Sequence, residues 1–474
     1  MKILLTGATG YIGKRLIPLL LENGHEVVCS VRDKNRFSIE QFNSDKISVV
    51  EVDFLNVKTL KNIPEDINAA YYLIHSMATS KDNFEKLEEI SATNFKNYMQ
   101  LTTVKQVIYL SGIVNEQELS KHLSSRKNVE TILASGKFQL TTLRAGIIVG
   151  SGSGSFEIIR DLVEKLPFMI TPKWLHTKSQ PIAVRNVLQF LIGVLGYEYA
   201  YNKNFDIGSK EILTYKQMLL QFAEVRKLKR TIICLPIMTP KLSSYWLYFV
   251  TSTSYKLASH LVDSMKVEVI CSENGLAERL NIKLLTYKEA VSLAFQKIEE
   301  QNVVSSWTDA QSSKKLLKGV AKLIEVPKYG CFKDFRIEKI DDEEETIQKI
   351  WAIGGETGWY YGNFFWNMRG FIDKLFGGAG LKRGRKNASD LQVGDSLDFW
   401  RVLDASKRTK RLLLYAEMKL PGEAWLEFKI LNNELHQTAT FRPLGVLGRL
   451  YWYSVLPFHG FIFNGMIKKL AKKQ

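Results

Sequence analysis

Cysteine and histidine are scarce in this chain. The four cysteines, Cys29, Cys234, Cys271 and Cys331, stand without a close pair, and the seven histidines show no metal-ligand spacing. Neither a disulfide framework nor a bound metal is therefore expected, and the thiols read as reduced. No apolar run is long and unbroken enough to span a bilayer. The stretch that comes nearest, Leu450 to Leu470, is interrupted by Pro457, His459 and Asn464. Repeats and low-complexity tracts are missing too. Strand-like residues follow Met1 directly, which leaves no room for a targeting segment ahead of them, so a cytoplasmic protein is expected. At 474 residues and 45% hydrophobic content, the chain exceeds one ordinary core and calls for two or three domains.

The strongest signal present is L-L-T-G-A-T-G-Y-I-G at residues 4 to 13. It puts Gly7, Gly10 and Gly13 between an apolar strand and a helix with Ile12, Leu16, Leu19 and Leu20 on one face. Gly24 ends that helix, and Glu26 to Val31 forms a second strand. In such a unit the glycines allow a tight turn, close approach of a pyrophosphate and close helix packing, while the helix N-terminus holds the anion. The residue closing the second strand selects the cofactor. A carboxylate there would bind the adenosine ribose, but this chain has Arg32, with Lys34 and Arg36 behind it. A guanidinium suits a 2′-phosphate, so NADP(H) is expected over NAD(H). Asp53, after the strand Ile47 to Val52, is placed to meet the adenine edge. The expected cofactor-binding set is Thr6, Gly7, Thr9, Gly10, Tyr11, Ile12, Gly13, Arg32, Asp53, Phe54, His75 and Ser76.

Strands and helices then alternate: strand 69–75, helix 83–101, strand 106–111, helix 118–135 and strand 139–144. This order predicts a doubly wound parallel sheet of the Rossmann type. The residues T-G-A-T-G-Y-I-G, V-R-D at 31–33, Val52-Asp53, Y-L-S-G at 109–112 and L-R-A-G-I-I-V-G at 143–150 resemble the atypical short-chain dehydrogenase/reductases, the NmrA-like and NAD(P)H-binding branch. The resemblance covers about the first 300 residues. It implies a catalytic serine at the end of the fifth strand, matched by Ser111, and a Tyr followed four residues later by Lys on the next helix. Aligned on Glu130, those two positions hold His122 and Arg126, and no tyrosine lies between Ser111 and Arg144. An imidazole can donate a proton near neutral pH, and a guanidinium can hold ribose hydroxyls without relaying a proton. Ser111, His122 and Arg126 are thus the catalytic candidates. The alternative is a site that binds nucleotide without chemistry, with His122 a plain surface or cap residue.

Beyond Gly150 a smaller lobe is expected, mainly 151–185 and 205–275. The stretch G-S-G-S-G-S-F at 150–156 reads as flexible, and Q-P-I-A-V-R-N-V at 180–187 resembles the family's link between core and lobe. Trp174, Tyr245, Trp246, Tyr248 and Phe249 supply an aromatic surface suited to an apolar substrate. A linker is placed at 301–328. The remainder, 329–474, reads as an α+β unit. Acidic residues 341–345 open a short helix, and strands follow at 397–403, 412–418, 424–430 and 435–442 in an antiparallel meander. An apolar stretch, 446–467, then forms a long helix laid across the sheet. This layout resembles the START or Bet v 1-like helix-grip fold, which implies an apolar cavity, and 354–361 with 447–459 resemble the uncharacterised domain found behind such dehydrogenases.

The net charge of +16 is spread along the chain. The cluster K-R-G-R-K at 382–386 reads as solvated surface, and no nucleic-acid partner is expected. Residues 446–474 combine aromatics with terminal lysines, so peripheral membrane contact stands beside packing on the sheet. Three functions follow as expectations. They are an NADP(H)-dependent oxidoreductase acting on a hydrophobic small-molecule carbonyl or enone, a non-catalytic NADP(H) sensor or assembly factor, and a lipid-binding or membrane-peripheral module.

Overall fold

The computed structural model describes residues 1–34, 37, 42, 44–74, 84–114, 121–235, 262, 265, 267–299, 326, 331–376, 378, 380–381 and 390–473, without the side chains of 84, 121–123, 165, 297–299 and 445. The chain divides into two compact units, Met1–Gln311 and Ser312–Gln474. Of the expected linker 301–328, all but Val326 lies outside the described residues, as do Tyr245, Trp246, Tyr248, Phe249 and the 382–386 cluster.

The first unit is built on strands β1 (Lys2–Leu5), β2 (Glu26–Val31), β3 (Ile47–Glu51), β4 (Ala69–Tyr72), β5 (Gln106–Gly112), β6 (Gln139–Ala145), β7 (Phe168–Pro172), β8 (Lys203–Ile207) and β9 (Thr231–Leu235). Its helices are α1 (Tyr11–Glu22), α2 (Phe84–Met99), α3 (Lys121–Ala134), α4 (Gly154–Lys165), α5 (Val184–Gly193), α6 (Tyr215–Val225) and α7 (Tyr287–Glu299). Seven of the strands form one parallel sheet in the order β8-β6-β5-β4-β1-β2-β3. Helices cover both faces, which is why β1, β2 and β4 are almost wholly buried and read as continuous apolar runs. Helix α1 stops at Asn23, and Gly24 takes the left-handed conformation (φ +77°) that turns the chain into β2.

A separate apolar core joins α4, α6 and α7 under the short parallel pair β7–β9, and this is the lobe. Its entry corrects one expectation. The 150–156 stretch is pinned rather than flexible: the Ser153 hydroxyl accepts from Phe156 N (3.2 Å) to cap α4 and donates to the Ile148 carbonyl (3.0 Å). The 180–187 segment fastens lobe to sheet. Gln180 bonds Ser209 O and Cys271 N, and Asn186 bonds Lys283 O and Leu285 N.

The second unit is an antiparallel sheet of six strands. They are β10 (Phe332–Lys339), β11 (Ser396–Leu397), β12 (Trp400–Ser406), β13 (Arg411–Ala416), β14 (Gly422–Leu431) and β15 (Glu434–Pro443), in the order β10-β15-β14-β13-β12-β11. Helices α8 (Glu343–Trp351), α9 (Asn363–Leu375) and α10 (Gly445–Ala471) accompany it. Asp342 caps α8 by accepting from Glu345 N (3.0 Å), as the acidic run suggests. Asn432 and Asn433, both at positive φ (+51° and +63°), make the tight turn between β14 and β15. Leu426, Phe428 and Ile430 share the buried face. Two elements, β10 and α9, have no counterpart among the expected ones. In the core of this unit Trp359 stacks on Trp366 at 4.6 Å and lies tilted 6.1 Å from Trp400, ring centre to ring centre.

Candidate functional site

The turn between β1 and α1 is formed as the glycines require. Gly7 has φ +67°, and a Cβ there would sit 2.7 Å from the Leu73 carbonyl oxygen; a Cβ on Gly13 would collide with the Gly7 carbonyl. Backbone therefore stands where side chains would otherwise block an approaching phosphate. Gly10 caps α1 with no side chain, so the first-turn amides have no side-chain acceptor. This is a cradle that fits a pyrophosphate. Thr6 beside it is spent structurally: its buried hydroxyl donates to Tyr71 O and accepts from Leu73 N (both 3.0 Å), stitching β1 to β4. Thr9 is half-buried at the turn.

Tyr11 also has a structural position. Its phenol is buried against Gly150, with the Arg15 guanidinium 4.2 Å over the ring, and Arg15 donates to Ser151 O (2.8 Å). Burial pushes the phenol up to about 12. The pair thus clamps the phosphate turn to the loop that opens the lobe.

Arg32 is exposed just past the end of β2. Glu51 comes near this loop, its carboxylate accepting from Lys34 N at 3.4 Å. The Asp53 carboxylate accepts from Leu55 N (3.0 Å) and so shapes its own turn. Phe54 does not present a side chain to this site. It is 5% exposed and packs on Phe95 at 5.7 Å, while its carbonyl accepts from Asn94. His75 and Ser76 lie outside the described residues.

At the far end of β5 the structure gathers a polar cluster inside an otherwise apolar layer. Ser111 is 2% exposed and, beyond a weak interaction with the Tyr109 phenol, its hydroxyl has no partner among the described residues; the Arg126 Nε is likewise buried without one among them. Tyr109, two residues earlier on the same face of β5, donates to the Arg126 carbonyl (3.4 Å), which turns this face toward α3. Burial pushes the Tyr109 phenol up to about 12, against the pull of the Arg126 cation. Ser125 donates to Glu88 of α2 at 2.5 Å, and Arg144 of β6 grips Glu130 at 2.6 and 3.0 Å. The alignment residue Glu130 is therefore a brace between α3 and β6. His122 lies on α3 one turn before Arg126, with its side chain outside the described residues. Tyr109 is the one phenol near Ser111 among the described residues that sequence reasoning passed over. A tyrosine two places before a strand-end serine was open to reading, but it sits in the core and its carrier is a strand, not the expected helix.

The lobe holds a small apolar cavity of about 40 Å³, lined by Ile158, Ile159, Leu162, Met169, Trp174 and Tyr215 among others. The buried Trp174 Nε1 beside it has no hydrogen-bond partner.

Comparison with known proteins agrees with this geometry. Residues 7–160 match the family described as NAD(P)H-binding, and residues 330–466 match a protein family of unknown function, DUF2867. The fold of the first unit is similar to a triphenylmethane reductase from Citrobacter sp., at 17% identity and a TM-score of 0.51, over 62% of this chain and 100% of that one. It is also similar to a nucleoside-diphosphate-sugar epimerase from Staphylococcus aureus, at 13% identity and a TM-score of 0.50, again over 62% and 100%. A curated relative, the trichosetin synthetase PKS-NRPS1 of Gibberella fujikuroi, is 29% identical over 107 residues, which are 21% of this chain and 3% of that protein. The first unit thus has a Rossmann fold, and its residues 7–160 are similar to the NAD(P)H-binding family.

Proposed function

We propose that the protein is an NADP(H)-dependent oxidoreductase that reduces a hydrophobic carbonyl or enone. The observation that carries the reading is the glycine cradle at Gly7 and Gly13, followed by an exposed arginine where an NAD-selective site would place a carboxylate. In this reading the amides at the start of α1 hold the pyrophosphate and Arg32 pairs with the 2′-phosphate. A bound nicotinamide supplies the hydride. The buried Ser111 hydroxyl donates to the acceptor oxygen of the substrate, Arg126 holds ribose hydroxyls, and His122 delivers the proton.

A second reading rests on one observation: Tyr109 is buried in the sheet layer and no helix phenol replaces it. On that reading the nucleotide regulates a scaffold and no hydride moves. Titration with NADPH and NADH, then NADPH oxidation across apolar aldehydes, ketones, enones and quinones with His122→Ala in parallel, separates the two. Turnover lost in the variant supports the oxidoreductase. Tight NADPH binding with no turnover on any substrate assigns the sensor.

A further inference from the structure

Only part of the long C-terminal helix α10 is used in packing. Trp452, Phe463, Met466, Ile467 and Leu470 are buried against the sheet. On the opposite side Val446, Leu447, Leu450, Tyr453 and Phe461 are between 56% and 73% exposed. At ~100° and ~1.5 Å per residue these five occupy about a third of the helix circumference along roughly 24 Å. Helix α9 repeats the pattern: Phe364, Met368, Phe371 and Leu375, spaced i, i+4, i+7 and i+11, are all exposed while Trp366, Gly370 and Asp373 are buried. The two helices meet beside these stripes, where the half-buried Phe365 ring lies 5.9 Å from Phe458 and 6.2 Å from Phe461 of the exposed α10 stripe. An apolar face of this extent is uncommon on a surface meant for water.

Its charges have one sign. Helix α10 contains no aspartate or glutamate, and the single acidic residue of α9, Asp373, is 1% exposed with its carboxylate accepting from Gly380 N (2.9 Å) and Lys419 N (2.7 Å). The exposed charges on and just after α10 are Arg449, Lys468, Lys469, Lys472 and Lys473, all cationic. A protein partner of ordinary composition would be met by polar side chains of both signs around the apolar centre. Helices whose apolar stripes carry only cations among their own exposed charges suit an anionic lipid surface. No helix among the described residues is long and apolar enough to cross a membrane.

We propose that the second unit docks on anionic bilayers through the exposed apolar faces of α9 and α10, with both helices lying in the interfacial plane. The contact extends beyond the C-terminal tail to Phe364–Leu375 and, within α10, uses the apolar 446–461 stripe together with the exposed lysines 468 and 469 beyond it. It does not depend on the nucleotide site.

The test is flotation of the full chain with phosphatidylcholine vesicles, with and without phosphatidylglycerol. The partners are Phe371→Glu/Leu450→Glu, two exposed positions, and Arg449→Gln/Lys468→Gln/Lys469→Gln, with circular dichroism to verify folding. The wild type is expected to float with the anionic vesicles, the acidic double variant to lose about tenfold or more of that binding, and the glutamine variant to lose its preference for the anionic lipid. A wild type that stays in the dense fraction with both vesicles, or a folded double variant that floats as well as the wild type, overturns the proposal. So does a non-floating protein that forms dimers which the double variant dissociates, since the face then belongs to a second copy.

Discussion

Replacing Arg32 by alanine should change which cofactor the protein prefers without changing whether it binds one. The guanidinium follows the buried strand β2 into solvent, so its pairing with a 2′-phosphate is charge-assisted but partly screened. Glu51, which accepts from Lys34 N, adds a carboxylate to the same loop and weakens the local positive potential. Both effects argue for the low end of the range for hydrogen bonds to charged groups, ~1.5–2 kcal/mol. That corresponds to roughly a ten- to thirtyfold rise in the NADPH dissociation constant. NADH has a hydroxyl at that position and should bind as before. Arg32→Glu should go further, weakening NADPH more and tightening NADH, because a carboxylate accepts from ribose hydroxyls and repels phosphate. Titration of nucleotide fluorescence with both cofactors at low and high salt measures this, and the difference between cofactors should shrink as salt rises. Equal loss of both, or no change for NADPH, would refute the placement of the 2′-phosphate at Arg32.

Three further outcomes follow from buried contacts. Gly13→Ala places a methyl against the Gly7 carbonyl, so nucleotide binding should disappear by calorimetry while the rest of the sheet keeps its circular dichroism. Arg401 and Glu417 have side chains 1% and 5% exposed and share three hydrogen bonds of 3.0 to 3.2 Å; Glu417→Gln should destabilise the second unit by about 3 kcal/mol in urea, and Arg401→Met/Glu417→Leu should recover part of that loss. His459 sits among Trp452 and Phe463 at 5.1 and 4.7 Å, and burial lowers it to about 4 from the usual 6.5, with Asp334 and Arg336 acting in opposite directions. The unfolded chain therefore binds a proton first as pH falls. Stability from the neutral imidazole is fully present above pH 6.5 and lost as pH drops toward 4, a slope that His459→Phe should remove from the pH dependence of the melting temperature.

The parallel sheet was readable because its strands are continuous apolar runs set between helices of period 3.6, and because Gly7, Gly10 and Gly13 admit few alternatives. The meander was readable from alternation, as at Leu426, Phe428 and Ile430. What escaped has physical reasons. Strand β10, F-K-D-F-R-I-E-K, is an edge strand that puts Phe335 and Ile337 on its exposed face and Asp334, Arg336 and Glu338 on the more buried one, the reverse of the usual alternation. Helix α9 has an apolar exposed stripe as well as a buried one, so its pattern lacks the polar face that marks a surface helix. Around the site, backbone roles could be inferred while side-chain roles could not. Thr6, Tyr11 and Phe54 all stand in the nucleotide motif, yet a hydroxyl that bridges two strands, a phenol under Gly150 and a ring on Phe95 depend on contacts 65, 139 and 41 residues away.

The buried hydroxyl of Ser111 is where stability and chemistry can be separated by experiment. A buried polar atom without a partner costs about 1–3 kcal/mol relative to an apolar group in its place. Folded proteins retain such atoms when a ligand completes them. Ser111 is 2% exposed and, among the described residues, has only a weak interaction with the Tyr109 phenol and no well-formed hydrogen bond, while its neighbours Tyr109, Ser125 and Glu130 have all found partners. A serine that merely ended a strand would gain nothing from staying so poorly paired. Ser111→Ala should therefore raise the thermal midpoint, equivalent to about 1 kcal/mol, and at the same time lower turnover or substrate binding. Tyr109→Phe should not do this, because its long 3.4 Å bond to the Arg126 carbonyl is a weak structural contact whose loss is nearly neutral. If Ser111→Ala destabilises the protein, the hydroxyl has a structural partner; if it stabilises and leaves function intact, the hydroxyl has no role in the reaction, and proton donation must rest with His122 alone.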